Sequence, residues 1–104
     1  MIEQKDIRFC EAELHRLRGT VLIALNRPDG EIEACFERAV MTARGQSAKF
    51  WELRARISWS NFLRSRQRCS EARRMLAGIY DWFTEGFDTP DLIEARTLLD
   101  TLDA

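Results

Sequence analysis

At 104 residues, 45% hydrophobic and 32% charged, the chain has enough material for one domain of modest core and is too apolar to stay disordered. Its longest apolar run, Val21-Leu22-Ile23-Ala24-Leu25, falls far short of the ~20 residues of a membrane-spanning helix, and the polar start Met1-Ile2-Glu3-Gln4-Lys5-Asp6 is unlike a secretory signal. A net charge of −1 conceals a segregation: from Arg54 to Arg74 there are seven arginines against one acid, and from Gly78 to Ala104 seven acids against one base.

The apolar spacing is helical almost throughout. Helix 1 is expected near Asp6–Leu25, and Asn26-Arg27-Pro28-Asp29-Gly30 breaks it. Helix 2, near Glu31–Arg44, carries Ile32, Cys35, Phe36, Ala39, Val40 and Ala43 at i, i+3, i+4, i+7, i+8 and i+11, a single apolar stripe. Gly45-Gln46-Ser47 leads to helix 3, near Ala48–Arg64. Helix 4 is expected to start at Ser70 as N-cap, with Glu71 suiting the positive end of the helix dipole, and to end near Thr84 with Gly86 in the left-handed conformation. Its stripe is Ala72, Met75, Leu76, Ile79, Tyr80 and Phe83. Helix 5 opens at Asp88-Thr89-Pro90-Asp91, with Asp88 or Thr89 capping and Phe87 stapling onto Leu92 or Ile93, and buries Leu92, Ala95, Leu98, Leu99 and Leu102. No strand-like alternation bounded by turn residues occurs.

The stripes of helices 2 and 4 coincide at a spacing of 40 residues: Ile32 with Ala72, Cys35 with Met75, Phe36 with Leu76, Ala39 with Ile79, Val40 with Tyr80. Helices 1 and 3 keep the register, Arg16 matching Arg56, Thr20 matching Ser60, and Leu22-Ile23 matching Phe62-Leu63. A gapless repeat of two-helix units signals an all-α helical solenoid. One domain over residues 1–104 is expected: repeat one at about 6–45, repeat two at about 46–85, and a capping helix at about 89–103. Gly19-Thr20, Ser58 and Ser60 place small or β-branched residues mid-helix, where a second helix can approach closely.

The stretches Glu11-Ala12-Glu13-Leu14-His15-Arg16-Leu17-Arg18-Gly19, Ala34-Cys35-Phe36, Ala48-Lys49-Phe50-Trp51-Glu52-Leu53-Arg54-Ala55 and Glu71-Ala72-Arg73 carry a resemblance. So, most specifically, does Tyr80-Asp81-Trp82-Phe83-Thr84-Glu85-Gly86-Phe87-Asp88-Thr89-Pro90-Asp91-Leu92. Together they resemble the C-terminal tetratricopeptide region of bacterial multidomain signalling proteins, which join an adenylate/guanylate cyclase-like or DNA-binding domain to an ATPase domain and a repeat array. The resemblance runs from about Glu11 to Leu102. It implies a right-handed, tetratricopeptide-like solenoid of two helix-turn-helix repeats with a C-terminal capping helix. Three departures stand out. None of the cyclase, ATPase or DNA-binding segments is present, Gln67 stands where the family tends to have Gly, and there are only two repeats where solenoids usually need at least three; the period of 40 also exceeds the usual 34 residues.

No residue set for catalysis is expected. His15, the single histidine, has Glu11 one turn before it, which reads as a helix-surface pair, since a metal site needs three or four ligands. Cys10, Cys35 and Cys69 are odd in number and widely spaced, as in reduced thiols of a cytoplasmic protein. No Gly-rich phosphate loop is present, so no cofactor is expected. Trp51, Trp59 and Trp82 read as packing residues, Trp59 being the one expected to be partly exposed.

The expected function is protein–protein interaction or scaffolding within, or derived from, a bacterial signalling or transcriptional regulator. In such modules the first helix of each pair lines a groove, which places Arg16, Thr20, Arg56, Ser60 and Arg64 there. Helix 1 carries more apolar residues than one stripe needs, so Leu14, Leu17, Val21, Leu22 and Leu25 are expected to serve self-association, giving a symmetric homodimer. The alternative is a nucleic-acid accessory surface on Arg54, Arg56, Arg64, Arg66, Arg68, Arg73 and Arg74; arginine suits phosphate, but the pI of about 5.9 disfavours this reading.

Overall fold

The computed structural model describes the backbone over residues 4–83 and 89–103, and side chains over 11–83 and 89–102. Within these residues all regular structure is helical: α1 (Gln4–Ala24), α2 (Asp29–Gly45), α3 (Lys49–Ser65), α4 (Cys69–Tyr80) and α5 (Pro90–Asp103). No described helix is long and apolar enough to cross a membrane. The side chain of Cys10, and the expected cap, staple and helix-4 end at Asp88, Phe87, Thr84 and Gly86, lie outside what is so described.

The first three helices end in one and the same device. Asn26, Ser47 and Gln67 adopt φ of 57°, 55° and 63°. At each, the following amide reaches back to the last full turn: Arg27 to the Leu22 carbonyl at 3.0 Å, Ala48 to Ala43 and Arg68 to Leu63 at 2.9 Å. The left-handed residues themselves donate to Ile23, Arg44 and Arg64 at 3.0 Å. These are Schellman motifs, which satisfy carbonyls that would otherwise be orphaned at a helix end. After α2 the accompanying apolar contact joins Ala43 and Ala48. Gly30 and Gly45, expected in breaks, lie inside α2 instead. Ser70 does not cap α4: the helix starts one residue earlier, Arg68 holds the N-cap position, and no side chain caps it. Thr89 Oγ1 is buried without a hydrogen bond, so its side chain does not cap α5 either.

The short turns fold each helix back on the last, and α3 becomes the central element, touching α1, α2, α4 and α5. On one side Ile32, Phe36, Phe62, Leu63 and Ala72 form a core continuous with half-buried Leu22, Ile23 and Trp59. On the other, Leu53 and Ile57 of α3 and Leu76 and Ile79 of α4 pack with Phe83 and with Leu92, Ala95, Leu98 and Leu99 of α5. Burial follows the 40-residue spacing. Ile32 and Ala72 are fully buried, as are Phe36 and Leu76; Ala39 and Ile79 are buried; Cys35 and Met75 are both half-buried.

Candidate functional site

The five polar residues expected along a groove end up in different environments. Ser60 is fully buried, and its hydroxyl donates to the Ala72 carbonyl at 3.2 Å, so it ties α3 to α4 and cannot line a surface. Its small size is what allows that approach. Arg56 is half-buried; its Nε donates to Glu52 at 2.9 Å and its Nη1 to the Met75 carbonyl at 3.0 Å. Arg16 bonds Glu13 through Nε at 3.0 Å and reaches Ser58 of α3 at 3.2 Å. The hydrogen bond to Glu13 raises the Arg16 pKa further above its ordinary value. Thr20 turns its hydroxyl onto the Leu17 carbonyl at 2.7 Å. Only Arg64 is exposed and closes no ion pair among the described residues.

What α1, α3 and α5 do share is a row of charges absent from the expected set. Arg54 reaches Asp91 of α5 at 3.2 Å and Glu13 of α1 at 3.8 Å, and it lies 5.2 Å from the Trp51 ring. Asp91 and Glu13 are tens of residues from Arg54 in sequence, so local spacing offers no signal for these two pairings.

The arginine-rich segment is largely spent on internal contacts. Arg54 and Arg56 are paired as above, Arg66 bonds Asp29 at 3.1 Å, and Arg68 bridges Glu33 at 2.9 Å and Glu71 at 2.6 Å. Four of the seven arginines therefore face acids of their own or neighbouring elements. Hydrogen bonds to both carboxylates push the Arg68 guanidinium pKa up, and the same guanidinium holds the Glu71 carboxyl below its ordinary range. Trp59 is half-buried and donates to Glu33 at 3.1 Å; Trp82 is the more exposed tryptophan, at 56%.

The expected self-association residues form the most coherent surface. Leu14, Leu17 and Val21 of α1 and Leu25 in the turn just after it are 60%, 44%, 54% and 63% exposed and continue one stripe. Leu22 is the exception, half-buried against the Phe36 core. The opposite face of α1 explains the division: Ala12 and Gly19 are buried against α2 and α3, which fixes the rotation of the helix and turns the stripe outward. His15 Nε2 lies 3.8 Å from Glu11 on the flank. Among the described residues no group of three or more His, Cys, Asp or Glu is placed to hold a metal ion.

Comparison with protein-family models, with curated proteins and with solved structures finds no match to this chain.

Proposed function

We propose that this chain is a non-catalytic protein-interaction module of the tetratricopeptide type, with two helix-turn-helix repeats and α5 as its cap, and that it works by docking a second copy of itself on α1. The observation that carries the reading is the contrast between its two ends. At the α1 end four large apolar side chains stand in solvent in one row. On α5 itself the exposed residues are mostly polar, Glu94, Arg96, Thr97, Asp100 and Thr101, and Ile93 is the one large apolar side chain exposed among its described residues. A repeat stack needs polar terminal faces to stay soluble, and an apolar row of this kind marks an interface. The α1 face therefore corresponds to a packing surface, the α5 face to a finished end.

The chemistry of the stripe favours a second copy. Leu14, Leu17 and Val21 alternate by three and four residues, the seam that packs helix on helix. Glu11 and Arg18, both exposed and seven residues apart, flank that seam on one side, so two antiparallel α1 helices bring each Glu11 toward the opposing Arg18. The resemblance to repeat regions of bacterial signalling and transcriptional regulators supports the same class of role, assembly rather than catalysis.

Sedimentation equilibrium at micromolar concentration tests the proposal. The expected result is a dimer mass for the wild-type chain and a monomer mass for Leu17→Glu/Val21→Glu, with unchanged helical circular dichroism. A monomer mass for the wild type at both low and high salt overturns it.

A further inference from the structure

The C-terminal end of α2, the N-terminal end of α3 and the outer side of α4 border a surface-open cavity of about 190 Å³, away from the α1 face. Four cationic side chains line it, Arg44, Lys49, Arg56 and Arg74, against one acid, Glu52. Such a concentration of like charge is unfavourable unless something answers it. Arg56 and Lys49 are both answered by Glu52, and Arg74 lies within the field of Glu71, but neither Arg44 nor Arg74, both exposed, closes an ion pair among the described residues.

Two further features mark the cavity as a place for a ligand. Glu52 is 3% exposed; its Oε2 accepts from Arg56, while its Oε1 accepts no hydrogen bond and is held only by an ion pair with Lys49 Nζ at 3.6 Å. Its charge is answered by Lys49 and Arg56, but the acceptor on Oε1 is unfilled, so the cavity suits a group that donates a hydrogen bond. Gly78, exposed in the last turn of α4, also borders it. Glycine is among the poorest helix formers, and here no close approach requires it, since a Cβ would meet nothing within 4 Å. The space that a side chain at 78 would take is left to the cavity. Trp82 supplies an exposed aromatic wall, with Lys49 Nζ 5.2 Å from its ring.

We propose that this cavity binds a small phosphomonoester bearing hydroxyl or amine donors, such as a sugar phosphate or a mononucleotide. The phosphoryl dianion lies between the Arg44 and Arg74 guanidinium groups, whose planar forks match its oxygens. A hydroxyl or amine of the ligand donates to Glu52 Oε1. If the ligand carries a base, Trp82 is the surface available for stacking. This site is independent of association through α1.

Calorimetric titration of the intact protein at constant ionic strength tests it with four probes: inorganic phosphate, ribose 5-phosphate, adenosine 5′-monophosphate and adenosine. Both esters should bind about tenfold or more tightly than inorganic phosphate, which brings no organic donor to Glu52, and adenosine should not bind. Adenosine monophosphate exceeding ribose 5-phosphate identifies a nucleotide site, and equal affinities a sugar-phosphate site. Arg44→Ala/Arg74→Ala, which alters only exposed side chains, and Gly78→Leu, which fills the cavity, should each weaken ester binding about tenfold or more, while Gly78→Ala keeps most of it. The proposal is overturned if neither ester saturates below about 10 mM, if inorganic phosphate binds as tightly as the esters, or if both cavity variants bind like the wild type.

Discussion

The ring of Phe36 occupies the space that a side chain at position 19 would need: a Cβ on Gly19 would lie 2.7 Å from Phe36 Cε1. Phe36 is fully buried, with Phe62 at 6.4 Å between ring centres, so the ring has nowhere to retreat. Gly19→Ala should therefore destabilise the protein by about 1–2 kcal/mol, overpacking outweighing the ~1 kcal/mol gain in helix propensity. Gly78→Ala, facing open space, should gain about 0.5–1 kcal/mol. Chemical denaturation of the two variants checks the pair, and equal effects would contradict it.

Leu76 is fully buried in the core shared by α3, α4 and α5, at the place that Phe36 holds one period earlier. Leu76→Ala should cost about 2–5 kcal/mol, by lost transfer energy and an incompletely collapsed cavity. A loss below about 0.5 kcal/mol in urea titration would show that these positions are not equivalent.

The helices and their buried stripes were legible because they depend on periodicity: Ile32, Phe36, Leu76 and Leu92 are buried wherever the spacing placed them inward. Helix starts were less legible. Ser70 and Thr89 have cap-forming side chains, yet neither caps: α4 begins at Cys69, ahead of Ser70, and Thr89 Oγ1 is buried without a hydrogen bond. The polar surface was the least legible. Ser60 recurs one period after Thr20, which suggested a shared exposed role, but Thr20 is half-buried and Ser60 wholly so. The reason is position in the stack: α3 has neighbours on both sides, α1 on one. The cavity beside Gly78 joins three helices, a relation no single helical period encodes.

Gln67 sits at φ 63°, where a Cβ is strained and glycine is not. Gln67→Gly should stabilise the protein by about 0.5 kcal/mol, the relief of strain slightly exceeding the added freedom of the unfolded chain. Gln67→Val should lose about 1 kcal/mol or more, because a branched Cβ fits that region worst. Thermal unfolding of both variants is the measurement, and the opposite order would show that the turn is not held left-handed.

Arg68 holds the Glu71 carboxyl below its ordinary pKa of 4.5 by hydrogen bonding to it. A carboxyl depressed in the folded state contributes stability above its ordinary pKa and loses it as pH falls through the lower folded value. The contribution is thus fully present at neutral pH and disappears in acid. Carboxyl titration by NMR should show Glu71 returning toward 4.5 in Arg68→Ala, with a shallower fall of stability below that pH. An unchanged Glu71 titration would contradict the role of Arg68.

Removing residues 90–104 tests whether α5 finishes its end of the stack. Leu92, Ala95, Leu98 and Leu99 pack with Leu53, Ile57, Leu76, Ile79 and Phe83, whose ring also meets Phe50 and Trp82. Arg54 also loses Asp91, its partner on α5. Without α5 the protein has two apolar ends in place of one, and a stack open at both ends adds further copies without closing. The truncated chain should therefore aggregate or unfold, whereas Ile93→Ser, which alters only the single large apolar residue on the outer face of α5, should leave stability within about 0.5 kcal/mol. Light scattering and circular dichroism distinguish the outcomes. A soluble, cooperatively unfolding truncation would mean that α1–α4 bury their own surface by repacking and that α5 is not a cap.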